Sequence, residues 1–195
     1  MKNQVLSSQT IQLERNQVSF LGPNLEMHDC TVISEADTKG LTFVGLRMHG
    51  GIFHQKRALK DFHFHGAHFS RVRFTGNYLG CDFGDWDDIN RSSVSECDFS
   101  SARMHGCRLL NCDMKGIHIP KWPCFCLSNP AEARDFVNSR SWPKKIGLNL
   151  DVFTDEDREC VATFGDASVL AKESGLPLSE VRSLLMVIPG IHIID

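Results

Sequence analysis

The sequence is poor in tyrosine, in long apolar runs and in excess charge of either sign. One Tyr stands against 13 Phe, so its aromatic content suits a dry interior, because Phe has no polar tip to place in water. The longest apolar stretch, Leu184 to Ile194, is interrupted by Pro189, Gly190 and His192 and is too short to span a bilayer. The opening MKNQVLSSQTIQLERN has neither an apolar core of signal-peptide length nor a small-residue cleavage site. A cytoplasmic, reducing location with no membrane association is therefore expected, and the eight Cys are expected as thiols. There is no Gly-x-Ser-x-Gly, no phosphate-cradling glycine loop and no His-Glu-x-x-His. The expectation is a protein that is not an enzyme and has no cofactor. With 195 residues, 42% hydrophobic and 23% charged, the chain is neither disordered, collagenous nor membrane-spanning. It is long enough for one domain with an appendage, or for two small ones.

The middle of the chain has a period of five. Every fifth residue from Phe64 reads Phe64, Phe69, Phe74, Leu79, Gly84, Ile89, Val94, Phe99, Met104, Leu109, Met114 and Ile119. Only Gly84 is not large and apolar, and Phe83 beside it marks a one-residue slip. Upstream, Phe43, Met48 and Phe53 keep the period one residue out, so an extra residue is expected near Gln55-Lys56-Arg57. A second track, two residues earlier, is mostly small and includes Ala67, Cys97, Ala102, Cys107 and Cys112. Neither a helix nor a strand gives a period of five. Something turns the chain every five residues while keeping one large and one small side chain inside.

This pattern resembles the pentapeptide-repeat family, whose motif has a central Leu or Phe and a small residue two positions before it. The resemblance covers residues 41–119 well and 5–40 loosely. It implies a mainly β fold: a right-handed quadrilateral β-helix of four pentapeptides per coil, here with a small α-helical C-terminal appendage. The expected division is a β-helix over 1–119 with 1–40 as irregular N-terminal coils or cap, an extended capping segment over 120–153, and a helical module over 154–195. The expected core includes Phe64, Phe69, Phe74, Phe99, Met104, Leu109, Met114, Cys97, Cys107 and Cys112. Five Cys, with Cys30 and Cys81 added to those three, lie on the small track and read as core hydrophobes. Cys124 and Cys126 lack zinc-knuckle spacing, so no metal site is expected.

A coil of twenty residues would stack His65, Asp85 and His105 in one outer column and His68, Asp88 and Arg108 in another. It would make Arg71 and Arg91 neighbours. These eight residues are the candidate binding ladder, with a proton-responsive or metal-binding column as the sharper alternative to an exposed ladder of modest pairing energy.

Some pentapeptide-repeat proteins are DNA mimics that bind DNA gyrase, a role that needs a strongly acidic rod. Residues 41–119 carry ten Lys and Arg against eight Asp and Glu, which disfavours that role. Beyond Pro120, the segment IPKWPCFCLSNP reads as an extended cap with Trp122 and Phe125 as plugs. Helices are expected from Thr154 to Gly165, from Ala167 to Ser174 and from Leu178 to Val187. The stretch ASVLAKESGLPLSEVRSLL looks like a helix-turn-helix, but Arg182 is the only basic residue of its second helix, fewer than phosphate binding usually needs. Nucleic acid is therefore a disfavoured partner. A helical hairpin that caps the barrel or forms a homodimer is the plainer expectation. The leading functional expectation, implied by the family, is a bacterial protein that binds another protein and neutralises, protects or modulates it, in the manner of immunity or resistance proteins. A DNA-associated regulator, a topoisomerase-binding DNA mimic and a secreted effector are the alternatives.

Overall fold

The computed structural model describes residues 1–195. The chain is mainly β, a parallel β-solenoid of about five turns with four short helices at its C-terminal end. The first wall stacks Gln4–Ser7, Leu25–His28, Leu46–His49, Ala67–Ser70 and Ser93–Ser95. The second begins with Thr10–Leu13 and Thr31–Ser34, and Ile52–Lys60, Arg73–Leu79 and Asp98–His105 carry it on around a corner. A further wall holds Ser19–Leu21 and Leu41–Phe43, with Asp82–Phe83 and Cys107–Leu110 paired farther along.

The chain turns because corner residues adopt left-handed backbone. Asn3, Asn24, Gly45 and Gly66 have φ of 51°, 52°, 66° and 73° where they enter the first wall, and Ser8, Asp29, Gly50, Arg71 and Glu96 repeat this at its exit. Short polar residues and glycine tolerate that region best. The corners still satisfy their backbone groups between coils: the Ser8 N–H donates to the His28 carbonyl (2.9 Å) and the Asp29 N–H to the His49 carbonyl (2.9 Å).

The repeat length differs from the expected twenty. Gln4 pairs with Leu25, Leu25 with Leu46 and Leu46 with Ala67, so the early coils are 21 residues long. An extra residue sits in each such coil. In the third coil it falls where the sequence places it, because Phe53 and Leu59 are both fully buried and stand six apart. Strict counting in fives loses phase at each insertion. For that reason residues 1–40 look irregular in sequence, yet they form regular coils.

The slip near Gly84 begins earlier than Phe83. Tyr78, not Leu79, is fully buried beside Leu59. Phe83 then follows Tyr78 by five. The next coil is longer: His68 pairs with Ser93 and Asp82 with Arg108, 25 and 26 residues apart. The added residues form a loop, Asp85–Arg91, that leaves the wall, and Ile89 is consequently 56% exposed despite its place on the five-residue track.

The lumen is a single core of 33 buried residues. Phe43, Phe64 and Phe83 stack in one column, with ring centroids 5.7 and 4.5 Å apart. Phe53, Phe74 and Phe99 form another, at 5.9 and 4.9 Å. Cys30, Cys81, Cys97 and Cys107 fill the small track and are fully buried. Met114 and Cys112 are only partly buried, because the last coil ends there and has no coil beyond it.

The C-terminal region departs from expectation. Residues 120–153 are not simply extended: beside α1 (Pro130–Asn138), where the sequence offers a short helix over Ala131–Val137, they contain the strand Cys124–Ser128 and the helix α2 (Ile146–Thr154). The helix expected after Thr154 is instead the strand Cys160–Asp166. It pairs antiparallel with Cys107–Leu110 on one side and Cys124–Ser128 on the other. The edge of the last coil supplies the template, and pairing its backbone groups outweighs a weak local helical signal. Phe164, Ala162 and Cys126 belong to the lumen core, whereas Phe125 packs with the helices in a second core of 12 residues. The expected plugs, Trp122 and Phe125, are therefore not the lumen seal. The helices α3 (Ala167–Ser174) and α4 (Leu178–Leu185) lie close to their expected bounds, and Gly175 takes φ 65° at the C-cap of α3. The apolar tail finds its surface within the chain, since Ile191 and His192 pair with Leu127 and Cys126.

Candidate binding site

The loop Asp85–Arg91 is the largest departure from the coil lattice, and a dense set of polar contacts fixes it. The Asp85 carboxylate, 3% exposed, accepts from the backbone N–H groups of Asp87 and Asp88 at 3.1 Å each. Burial works to raise this carboxyl. The two N–H groups, together with the nearby His65 and Arg91, outweigh burial and hold it below its ordinary value. His65 Nδ1 lies 2.8 Å from Asp85 Oδ2, and Arg91 Nη2 donates to His65 Nε2 at 2.8 Å. Asp88 Oδ1 accepts from the backbone and side-chain amides of Asn90 at 2.8 and 2.9 Å. From the next coil, Asn111 Nδ2 donates to the Asp85 and Trp86 carbonyls at 2.9 and 2.6 Å.

Arg108 anchors the base of the loop. Its guanidinium binds Asp82 in two parallel contacts of 2.7 and 2.8 Å and reaches Glu156 at 3.3 Å. It also lies 4.9 Å from the centre of the Trp86 ring. A forked pair of this kind is directional as well as strong, so loop, barrel and cap share one joint.

The proposed columns are therefore partly realised and partly broken. His65 and Asp85 meet, but His105 does not join them. It lies at the cap, where its Nδ1 accepts from the Asp166 backbone N–H. His68, Asp88 and Arg108 separate: His68 pairs with Ser93, Asp88 stays within the loop, and Arg108 pairs with Asp82. Arg71 occupies a corner (φ 55°) in register with Glu96, away from Arg91, which meets His65. The common cause is a repeat of 21 or 25 residues where twenty was expected.

Beneath the loop runs a groove of about 540 Å³ on the first wall. Arg47, His49 and His68 line it with Ser70, Ser93 and Ser95, and Ile89 and Asn90 of the loop overhang it. The sequence shows His49 clustering with His54, His63, His65 and His68, but the candidate ladder leaves out Arg47 and His49 because their place beside His68 depends on the 21-residue register, in which Arg47 pairs with His68 and His49 with Ser70. His68 Nδ1 lies 2.9 Å from Ser93 Oγ. Burial and then the Arg47 charge push the His68 ring below its ordinary value. His49 stacks on His28, with ring centroids 5.3 Å apart.

The other candidate chemistry is quieter. All eight Cys are free thiols; burial raises Cys97 to about 11 and Cys126 to about 12, away from thiolate character, whereas the contact with Cys107 lowers the buried Cys81. No group of three His, Cys, Asp or Glu side chains is placed to hold a metal ion. Arg182 pairs with Asp195 at 2.8 Å and lies 4.9 Å from the centre of the Trp122 ring, so the one basic residue of α4 is engaged within the chain. No helix is long and apolar enough to cross a membrane. No protein-family model, curated protein or solved structure matches the chain.

Proposed function

We propose that the protein is a non-catalytic β-solenoid that recognises another protein and neutralises, protects or modulates it, using the Asp85–Arg91 loop and the groove beneath as the contact site. The observation that carries this reading is the loop itself. It interrupts an otherwise regular lattice, is held by contacts from Asp85, Asp88 and Asn111, and still exposes Ile89. A rigid loop with an apolar tip suits recognition, because little conformational entropy is lost on docking. The resemblance to pentapeptide-repeat proteins supports the same class of role, in a bacterial cytoplasm. The engagement of Arg182 speaks against a DNA-binding role for α3 and α4.

The test is affinity capture from the native host with the wild-type chain and with Ile89→Asp, followed by binding measurements on each purified candidate. A partner retained by wild type and lost by Ile89→Asp supports the reading. Partners captured equally by both place recognition elsewhere and refute it.

A further inference from the structure

We propose that the groove under the loop is an oxyanion site that takes a phosphorylated side chain of the partner. The inference rests on the protein-binding reading for the source of the phosphate, while the anion chemistry stands on the groove itself. Three nitrogenous groups, Arg47, His49 and His68, line it together with three serine side chains, and no carboxylate does. The guanidinium of Arg47 has no ion-pair partner within 4.0 Å, unlike Arg73, Arg103, Arg108, Arg134 and Arg182 but like the chain's other arginines, so it is free to meet an anion in the groove. Glu26, which stands in register beside Arg47, lies 3.7 Å from His28.

The positive charge is self-opposing. Arg47 and His49 each work against protonation of His68, as like charges do. An anion between them would reverse that repulsion. It would accept from the Arg47 fork and the serine hydroxyls, the donor set that charge-assisted phosphate recognition uses. Ser93 holds the His68 ring at 2.9 Å, which fixes one wall of the site before binding. A groove of about 540 Å³ exceeds a bare phosphate and has the size of an ordinary ligand pocket. Its apolar rim at Ile89, 56% exposed, adjoins the cationic floor. Anion and apolar contact side by side fit a phosphorylated side chain with its neighbouring residue better than a free ion.

The experiment is a titration of the whole chain, read at the His49 and His68 ring signals by NMR, with inorganic phosphate, phosphoserine and acetate as probes. Saturable shifts with phosphate and phosphoserine are expected, with Arg47→Gln weakening both about tenfold or more. Arg73→Gln, on the second wall against Asp98, should leave them unchanged. Shifts that fail to saturate, that ignore Arg47→Gln, or that acetate produces as strongly overturn the site. Partner capture separates the two claims. A partner lost by Ile89→Asp but insensitive to phosphatase treatment keeps the functional reading and removes this one. Phosphate binding with no Ile89-dependent partner keeps the anion site and removes the partner's side chain as its source.

Discussion

The backbone N–H of Asp166 donates to Nδ1 of His105 at 3.0 Å, tying the cap to the last full coil. The same Asp166 caps α3 by accepting from the Ser168 N–H (2.8 Å) and pairs with Arg103. One residue therefore joins barrel, cap strand and helix.

That bond requires His105 Nδ1 to be unprotonated, which gives stability a pH dependence. Burial pushes the ring below its ordinary value, against the pull of the Asp166 and Glu173 carboxylates. A histidine depressed in the folded state contributes full stability above the unfolded imidazole value of about 6.5 and loses it as pH falls toward the lower folded value. His68, depressed by burial and by Arg47, acts with the same sign. Thermal unfolding measured from neutral pH to about pH 5 should show falling Tm, in a window above carboxylate titration. His105→Asn, which offers a fixed acceptor near the same place, should flatten part of the slope. An unchanged slope in that variant would show that His105 is not a source of it.

Tyr78 is the one tyrosine, and its position explains why it is not a fourteenth Phe. Its ring fills the lumen where the register between neighbouring coils shifts, and its hydroxyl donates to the carbonyls of Phe53 and Thr75 at 3.3 and 3.2 Å. Tyr78→Phe keeps the ring and removes the donor. Denaturant unfolding should show a loss of about 1–2 kcal/mol with an unchanged m-value. A neutral result would mean those carbonyls are satisfied without the hydroxyl.

Two glycines with positive φ should respond very differently to alanine. At Gly76 (φ +100°) a Cβ would sit 2.0 Å from the Gln55 carbonyl oxygen of the adjacent coil, so the stacked backbones would have to part. At Gly45 (φ +66°) nothing lies within 4 Å, and only the left-handed backbone preference is lost, roughly 1–2 kcal/mol. Gly45→Ala should fold with a modestly lower Tm. Gly76→Ala should lose well over twice as much stability or fail to accumulate as soluble protein. Equal Tm values for the two would contradict the close coil contact.

The loop depends on Asp85 more than on any other side chain. Asp85→Ala removes the acceptor for the Asp87 and Asp88 amides and the partner of His65. Hydrogen exchange across 85–91 should quicken while the Phe74 and Phe99 strands keep their protection. Quickening throughout the barrel would instead make the loop part of the global folding unit.

Phe64, Phe69, Phe74, Phe99, Met104 and Leu109 were legible as core because a five-residue turn unit writes its inward positions directly into the chain. The small track was legible for the same reason, and Cys97 and Cys107 are fully buried on it. Of the columns, only the meeting of His65 with Asp85 was legible. Whether His105 joins that pair, or His68 meets Asp88, depends on the length of a whole coil, and one residue more or less per turn moves every outer neighbour while leaving the inner pattern almost intact. The cap strand Cys160–Asp166 was hidden because its reason for being a strand lies in the exposed edge of Cys107–Leu110, far away in sequence.

The sequence by itself thus determined the solenoid: a period of five, large residues inside and small ones between. These are local demands, met residue by residue. Polar residues on the small track at Asn77, Asp82 and Asp87 already marked coils that are distorted or carry a loop; the tertiary structure decided the coil lengths of 21 and 25 residues, the bounds and contacts of the loop Asp85–Arg91 and the meeting of Arg47, His49 and His68 in one groove. Those depend on backbone pairing between coils, and pairing registers add up distances along the chain that no short window of sequence contains.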